Sequence, residues 1–110
     1  MTAPATIPPP SASVAAAAVA DTRVHLSGRL ICRSEDEAAT VRRHLPEHIR
    51  LTRAETGCLS FAVTPTGDPL VWQVVETFRD RASFDAHTAR AGQSDWGRAT
   101  TGILRDYTVT

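Results

Sequence analysis

Residues 70–78 read Leu70-Val71-Trp72-Gln73-Val74-Val75-Glu76-Thr77-Phe78, the strongest strand signal in the chain. Val, Thr and aromatic side chains dominate it, and these suit a pleated surface better than a helix. Trp72, Val74, Glu76 and Phe78 share one phase of that strand and therefore one face of its sheet. Just upstream, Pro65-Thr66-Gly67-Asp68-Pro69 is made of turn residues, and Leu59–Val63 before it reads as another strand. Just downstream, Asp80 caps a helix over Arg81–Ala91, with Phe84, His87 and Ala91 along one side and Gly92 closing it.

Further out, Val24–Ile31 alternates apolar and polar residues and predicts a half-buried strand. Ser34-Glu35-Asp36-Glu37 is a capping box, and its three acids suit the positive end of a helix dipole. Behind it Ala38, Val41, Leu45, Ile49 and Thr52 recur at three- and four-residue steps, so one helix face packs inward. Pro46 interrupts that pattern at a cost of about 3 kcal/mol unless the helix kinks or restarts. The expectation is a kinked helix from Glu35 to Ala54, stopped by Gly57. After the second helix come a short helical turn over Asp95–Thr100 and a last strand over Ile103–Val109. The order is β-α-β-β-α-β. With right-handed crossovers this gives a ferredoxin-like α+β fold, a four-stranded antiparallel sheet with both helices on one face. Its other face is left bare, and a second copy of the chain is the natural cover.

The 110 residues allow little more than one domain. Twelve Arg balance twelve Asp and Glu, for zero net charge, which argues against general electrostatic binding to nucleic acid or anionic membranes. No apolar run is long enough to span a bilayer. Residues 1–21 are rich in Ala and Pro and read as a flexible tail ahead of a domain over residues 22–110. The tail has no positive side chain and only a feeble apolar stretch, so the expected location is the cytoplasm rather than a secretory route. Cys32 and Cys58 fall on strands that are not neighbours in this topology, which argues against a disulfide. His44 and His48 have helix-chelating spacing, but Pro46 lies between them and no acid completes a set, so no metal is expected.

The stretch Arg53-Ala54-Glu55-Thr56-Gly57-Cys58-Leu59-Ser60-Phe61 resembles a signature of the antibiotic biosynthesis monooxygenase domain. Asp68-Pro69, Val75-Glu76-Thr77-Phe78 and the Asp80-to-His87 helix are similar to further family motifs, in order and with family-like spacing from Val24 to Thr110. The resemblance implies a dimeric α+β barrel. It also implies a cofactor-independent monooxygenase that oxidises a phenolic or quinol-like aromatic, with O2 as co-substrate. Two departures stand out. The family's second helix often continues into a further His, where this chain has Ala91-Gly92-Gln93-Ser94-Asp95-Trp96. The haem-degrading branch resembles an Asn, Trp and His set, whereas the first strand here has no Asn and Phe78 stands at the Trp position.

On this reading His87 faces the sheet and either handles a substrate proton or is a half-buried histidine bonded to backbone. Glu76 shares the inward phase, where a carboxylate is costly unless paired, so it is a catalytic acid or half of an Arg pair. Trp72, Phe78, Trp96 and Phe84 are candidate walls for a planar substrate, the strand aromatics having simple core packing as the alternative. His48 sits at the edge of the apolar helix face, within reach of the pocket, and His44 at the solvent side. His25 lies on the opposite sheet face, toward a subunit interface. Three other classes remain open: a non-catalytic dimeric module that binds a small aromatic or haem, a structural or degenerate member with neither binding nor chemistry, and an isomerase of small carbonyl compounds that shuttles a proton with one His and one Glu.

Overall fold

The structure, a computed structural model, describes residues 21–110; the expected tail falls almost wholly outside the described residues. Strand β1 (Val24–Ile31) leads into helix α1 (Glu35–Arg53), followed by β2 (Cys58–Pro65) and β3 (Val71–Phe78). Helix α2 (Arg81–Gly92), the short α3 (Asp95–Ala99) and β4 (Leu104–Val109) complete the domain. The sheet runs β2-β3-β1-β4 and every neighbouring pair is antiparallel, the ferredoxin-like arrangement expected from the element order. Among the described residues, no helix is long and apolar enough to cross a membrane.

Element ends follow local chemistry. The Ser34 hydroxyl accepts from the Glu37 N–H at 3.2 Å and starts α1, and the Asp80 carboxylate accepts from the Ser83 N–H at 2.8 Å and starts α2. The Glu37 carboxylate closes its box on the N–H of Arg33, one residue earlier than the usual pattern. Helix α1 contains Pro46 and buries Ala38, Val41, Leu45, His48 and Thr52. Gly92 does not close α2 in a left-handed turn. It is the last helical residue, and Gln93 caps in the right-handed region. Strand β2 is longer than its apolar run suggests, and a bulge between Cys58 and Ser60 turns Leu59 out to solvent.

Two glycines allow close approaches between elements. A side chain on Gly57 would begin 2.1 Å from the Ser83 hydroxyl, so only glycine lets the first turn of α2 press against the end of the α1–β2 loop. That contact holds Glu55 beside α2. Gly28, with φ +153, sits where a Cβ would lie 2.0 Å from the Asp106 carbonyl, and β4 crosses β1 through that space.

The sheet's inner face carries Leu26, Leu30, Phe61, Val63, Trp72, Val74 and Phe78, which are buried beneath the helices. Its outer face carries His25, Ser27, Arg29, Gln73, Val75 and Asp106, all exposed. Cys32 and Cys58 are free thiols.

Candidate active site

The helices do not fill the space above the inner face. A cavity of about 460 Å³ lies between Leu26, Leu30 and Val74 of the sheet and Phe84, Ala91 and Trp96 of α2 and α3. That volume is in the range of small-molecule sites, and the lining is mostly apolar with a few polar groups, as such sites require. The titratable side chains of the lining are His48, Glu76, His87, Arg105 and Tyr107, with Thr88 and Thr101 as further polar groups.

His87 is fixed by its neighbours. Its Nδ1 lies 3.0 Å from a carboxylate oxygen of Glu55, and the other Glu55 oxygen accepts from Arg90 Nε at 2.5 Å. Arg90 also donates to the hydroxyl of the fully buried Thr52 at 3.0 Å. An Nδ1–H that donates to Glu55 leaves the Nε2 lone pair facing inward, the arrangement in which a carboxylate orients an imidazole base. Burial lowers the His87 pKa and Arg90 adds to that, while the charge and hydrogen bond of Glu55 oppose it. Near neutral pH the ring is therefore an uncharged base. Beneath it, Phe78 packs at 4.8 Å between ring centres.

Glu76 faces His87 Nε2 at 4.0 Å, too far for a hydrogen bond. Its Oε1 is buried and has no partner among the described residues. Burial, reinforced by the nearby Glu55 charge, pushes its pKa up to about 7. Among the described residues no Arg pairs with it, so the Arg-pair alternative does not hold there; its ion-pair neighbour is His87. A carboxyl that is half protonated near neutrality beside a neutral imidazole can take or give one proton at little cost.

His48 projects from α1 and stacks on Trp96 of α3, with ring centres 4.6 Å apart and planes 6° from parallel. Burial first, then the charges of His87, Arg90 and Arg105, lower its pKa to about 3, so it stays neutral. Its Nδ1 is the second buried atom on the cavity without a partner. Burial raises Tyr107 to about 12, with Glu76 adding and Arg105 opposing.

Of the residues named from sequence, His87, Glu76, His48, Trp96 and Phe84 all line the cavity. Trp72 and Phe78 do not. They belong to the packed inner layer, Trp72 in the cluster with Val41 and Leu45, and Phe78 closed over by Phe84 and His87. The strand alternates as read, but the space is centred over Val74 and Glu76 and its two aromatic flanks are capped. His44 is half-buried rather than solvent-facing, and His25 bonds to Thr77 at 3.1 Å on the outer face. Sequence reasoning assigned no role to Glu55, Arg90, Arg105 or Tyr107. Arg90 follows His87 by three residues and so shares its helix side. Arg105 and Tyr107 share a strand phase, which was the available signal for both. Among the described residues, no group of three or more His, Cys, Asp or Glu is placed to hold a metal ion.

No curated protein matches the chain. In solved structures it is similar to Rv0793 from Mycobacterium tuberculosis, with TM-score 0.65 and 24% identity over 81% of this chain and 93% of that one. It is also similar to a candidate antibiotic biosynthesis monooxygenase from Nitrosomonas europaea, with TM-score 0.68 and 15% identity over 83% and 89%. A candidate of the same description from Bacteroides thetaiotaomicron gives TM-score 0.65 and 22% identity over 82% and 87%. At these identities the likeness speaks to the fold. The sequence itself speaks to the family: its model, antibiotic biosynthesis monooxygenase, matches residues 33–99, from the start of α1 through the His87 helix to the end of α3. With more than half its length matched in this way, the chain belongs to the antibiotic biosynthesis monooxygenase family.

Proposed function

We propose that the protein is a cofactor-independent monooxygenase that oxidises a phenolic or quinol-like aromatic with O2. One observation carries this reading: His87, held by Glu55 at 3.0 Å, turns its free Nε2 into an apolar cavity beside the buried Glu76. Such a cavity binds a flat apolar ring, and the imidazole removes its acidic proton. The resulting phenolate or enolate is electron-rich and reduces O2 by one electron. The carbon radical and superoxide then combine to a peroxide within the cavity. For a ring CH2 group, loss of the second C–H proton with O–O cleavage gives a ketone and one water. All four electrons that reduce O2 come from the substrate's CH2 carbon as it becomes a carbonyl, so the chemistry asks no cofactor of the protein. His87 accepts the first proton, Glu76 supplies or holds the second, and Glu55 is a positioning residue. Trp96, Phe84 and His48 form the walls.

The bare outer face, with Val75 46% and Leu104 56% exposed, suits a homodimer of the barrel type, and this assembly belongs to the proposal. Oxygen uptake against a panel of reduced quinols and anthrones, with chelator present, tests the reaction. Uptake above autoxidation that falls at least a hundredfold in His87→Ala is expected. Absence of uptake across the panel overturns the oxygenase reading and leaves a binding module or a carbonyl isomerase.

A further inference from the structure

The cavity has a second polar end that the proposed proton chemistry does not use. Arg105, on β4, points into the same space as Glu76 and His87. Its guanidinium is pinned by neutral oxygens: Nη1 donates to the Thr100 carbonyl at 2.8 Å and the Ile103 carbonyl at 3.0 Å, and Nη2 to the Thr100 hydroxyl at 2.8 Å. Thr100 is itself fully buried, so the anchor is rigid. Among the described residues no carboxylate lies within ion-pair distance of Arg105. The carboxylate of its chain neighbour Asp106 is on the other face of the sheet, paired with Arg29. These bonds use three of the five guanidinium N–H groups and leave Nε–H and one Nη2–H free. A half-buried cation at the edge of an apolar cavity, with two donors unused, is a ready partner for an anion. His48 provides an independent sign of a missing ligand. It is 5% exposed, it lines the same cavity, and its Nδ1 has no partner.

The sheet register fixes the spacing of the two ends. Arg105 stands beside Leu30 of β1, and Glu76 stands beside Leu26 of β1, on the opposite flank. The two positions are therefore four residues apart along the strands, about 13 Å, and two strands apart across the sheet, about 10 Å. A molecule that meets both ends is elongated, with its polar groups at opposite ends and an apolar body between.

We propose that the cavity takes an aromatic hydroxy acid, its hydroxyl at Glu76 and His87 and its carboxylate on Arg105. A planar carboxylate matches the free edge of the guanidinium fork. This rests on the proposed function for the placing of the hydroxyl, and adds the charge and length of the substrate.

Equilibrium binding of 6-hydroxy-2-naphthoate and of its neutral carboxamide, followed by quenching of Trp fluorescence, tests it without any turnover. Wild type is expected to bind the acid at least tenfold tighter than the amide. Arg105→Gln is expected to abolish that preference while leaving the amide within about twofold, and Arg105→Lys to retain most of it. Equal affinity of wild type for the two probes overturns the proposal, as does equal weakening of both in Arg105→Gln or failure of both to bind. A preserved acid preference with no oxygen uptake on any substrate condemns the oxygenase reading alone. Oxygen uptake on neutral aromatics with no acid preference condemns this inference alone.

Discussion

The two faces of the sheet are made by the same four strands, yet they put opposite kinds of residue in the unexpected place. On β3 the inner face buries Glu76 among Leu26, Val74 and Phe61, while the outer face leaves Val75 in the open, one residue away. A charge kept inside an apolar layer costs stability and is repaid only through what it does there. An apolar group kept outside costs little by itself and gains when another surface covers it. On the proposed function, chemistry belongs to the inner face and assembly to the outer one, and substitutions on each face should fail in different ways.

The largest expected effect is on the inner layer. Phe78→Ala removes a fully buried ring beneath His87 and should cost about 3–5 kcal/mol, read from denaturant unfolding. Glu76 comes next. Its folded-state pKa of about 7 lies above the ordinary 4.5, so the folded state holds a proton that the unfolded state has released. Its contribution is greatest below about pH 4.5 and is lost as pH rises through 7, a swing of about 3 kcal/mol. His48 and His87 titrate in the opposite sense, because their lowered pKa values make stability rise with pH up to their unfolded values. Subtracting the pH–stability curve of Glu76→Gln from that of wild type isolates the carboxyl. A difference that does not change between pH 5 and 7.5 would show that Glu76 is not a buried titrating group.

On the outer face, Val75→Asp should leave the monomer's circular dichroism unchanged and weaken self-association about a hundredfold, about 2.8 kcal/mol, by sedimentation. A variant that stays as dimeric as wild type would place the interface elsewhere. The smallest effect is expected at the exposed start of α2. Arg81→Ala breaks an exposed pair with Asp85, 3.1 Å long, and removes a guanidinium 5.5 Å from the Phe84 ring centre, and should change stability by no more than about 1 kcal/mol in a thermal melt.

Sequence was a good guide wherever periodicity governs. The alternation in β3 and the capping residues Ser34 and Asp80 predict their elements to within a residue or two, because local hydrogen bonds and one buried face decide them. The candidate site was half legible. His87, Glu76, His48, Trp96 and Phe84 share the inward phases and do meet at one cavity. Trp72 and Phe78 share the same phase as Glu76 and yet are packed away, because phase names a face and not the empty part of it. Glu55 was harder still. It stands in a loop with no periodicity, and its 3.0 Å contact with His87, 32 residues on, depends on Gly57 admitting Ser83 at close range. Arg105 had no role from sequence beyond the strand phase it shares with Tyr107; the β1–β4 register sets it beside the buried Leu30, on the cavity side.

On the proposed function, His87 takes a proton from a bound aromatic hydroxyl. The most direct measurement is an anaerobic absorbance titration at pH 7, using a phenolic ligand whose free pKa lies one to two units above that pH. Binding to wild type should bring up the phenolate band, and binding to His87→Ala at equal occupancy should not. A ligand that binds wild type and stays neutral, or that ionises equally in the variant, would contradict the account.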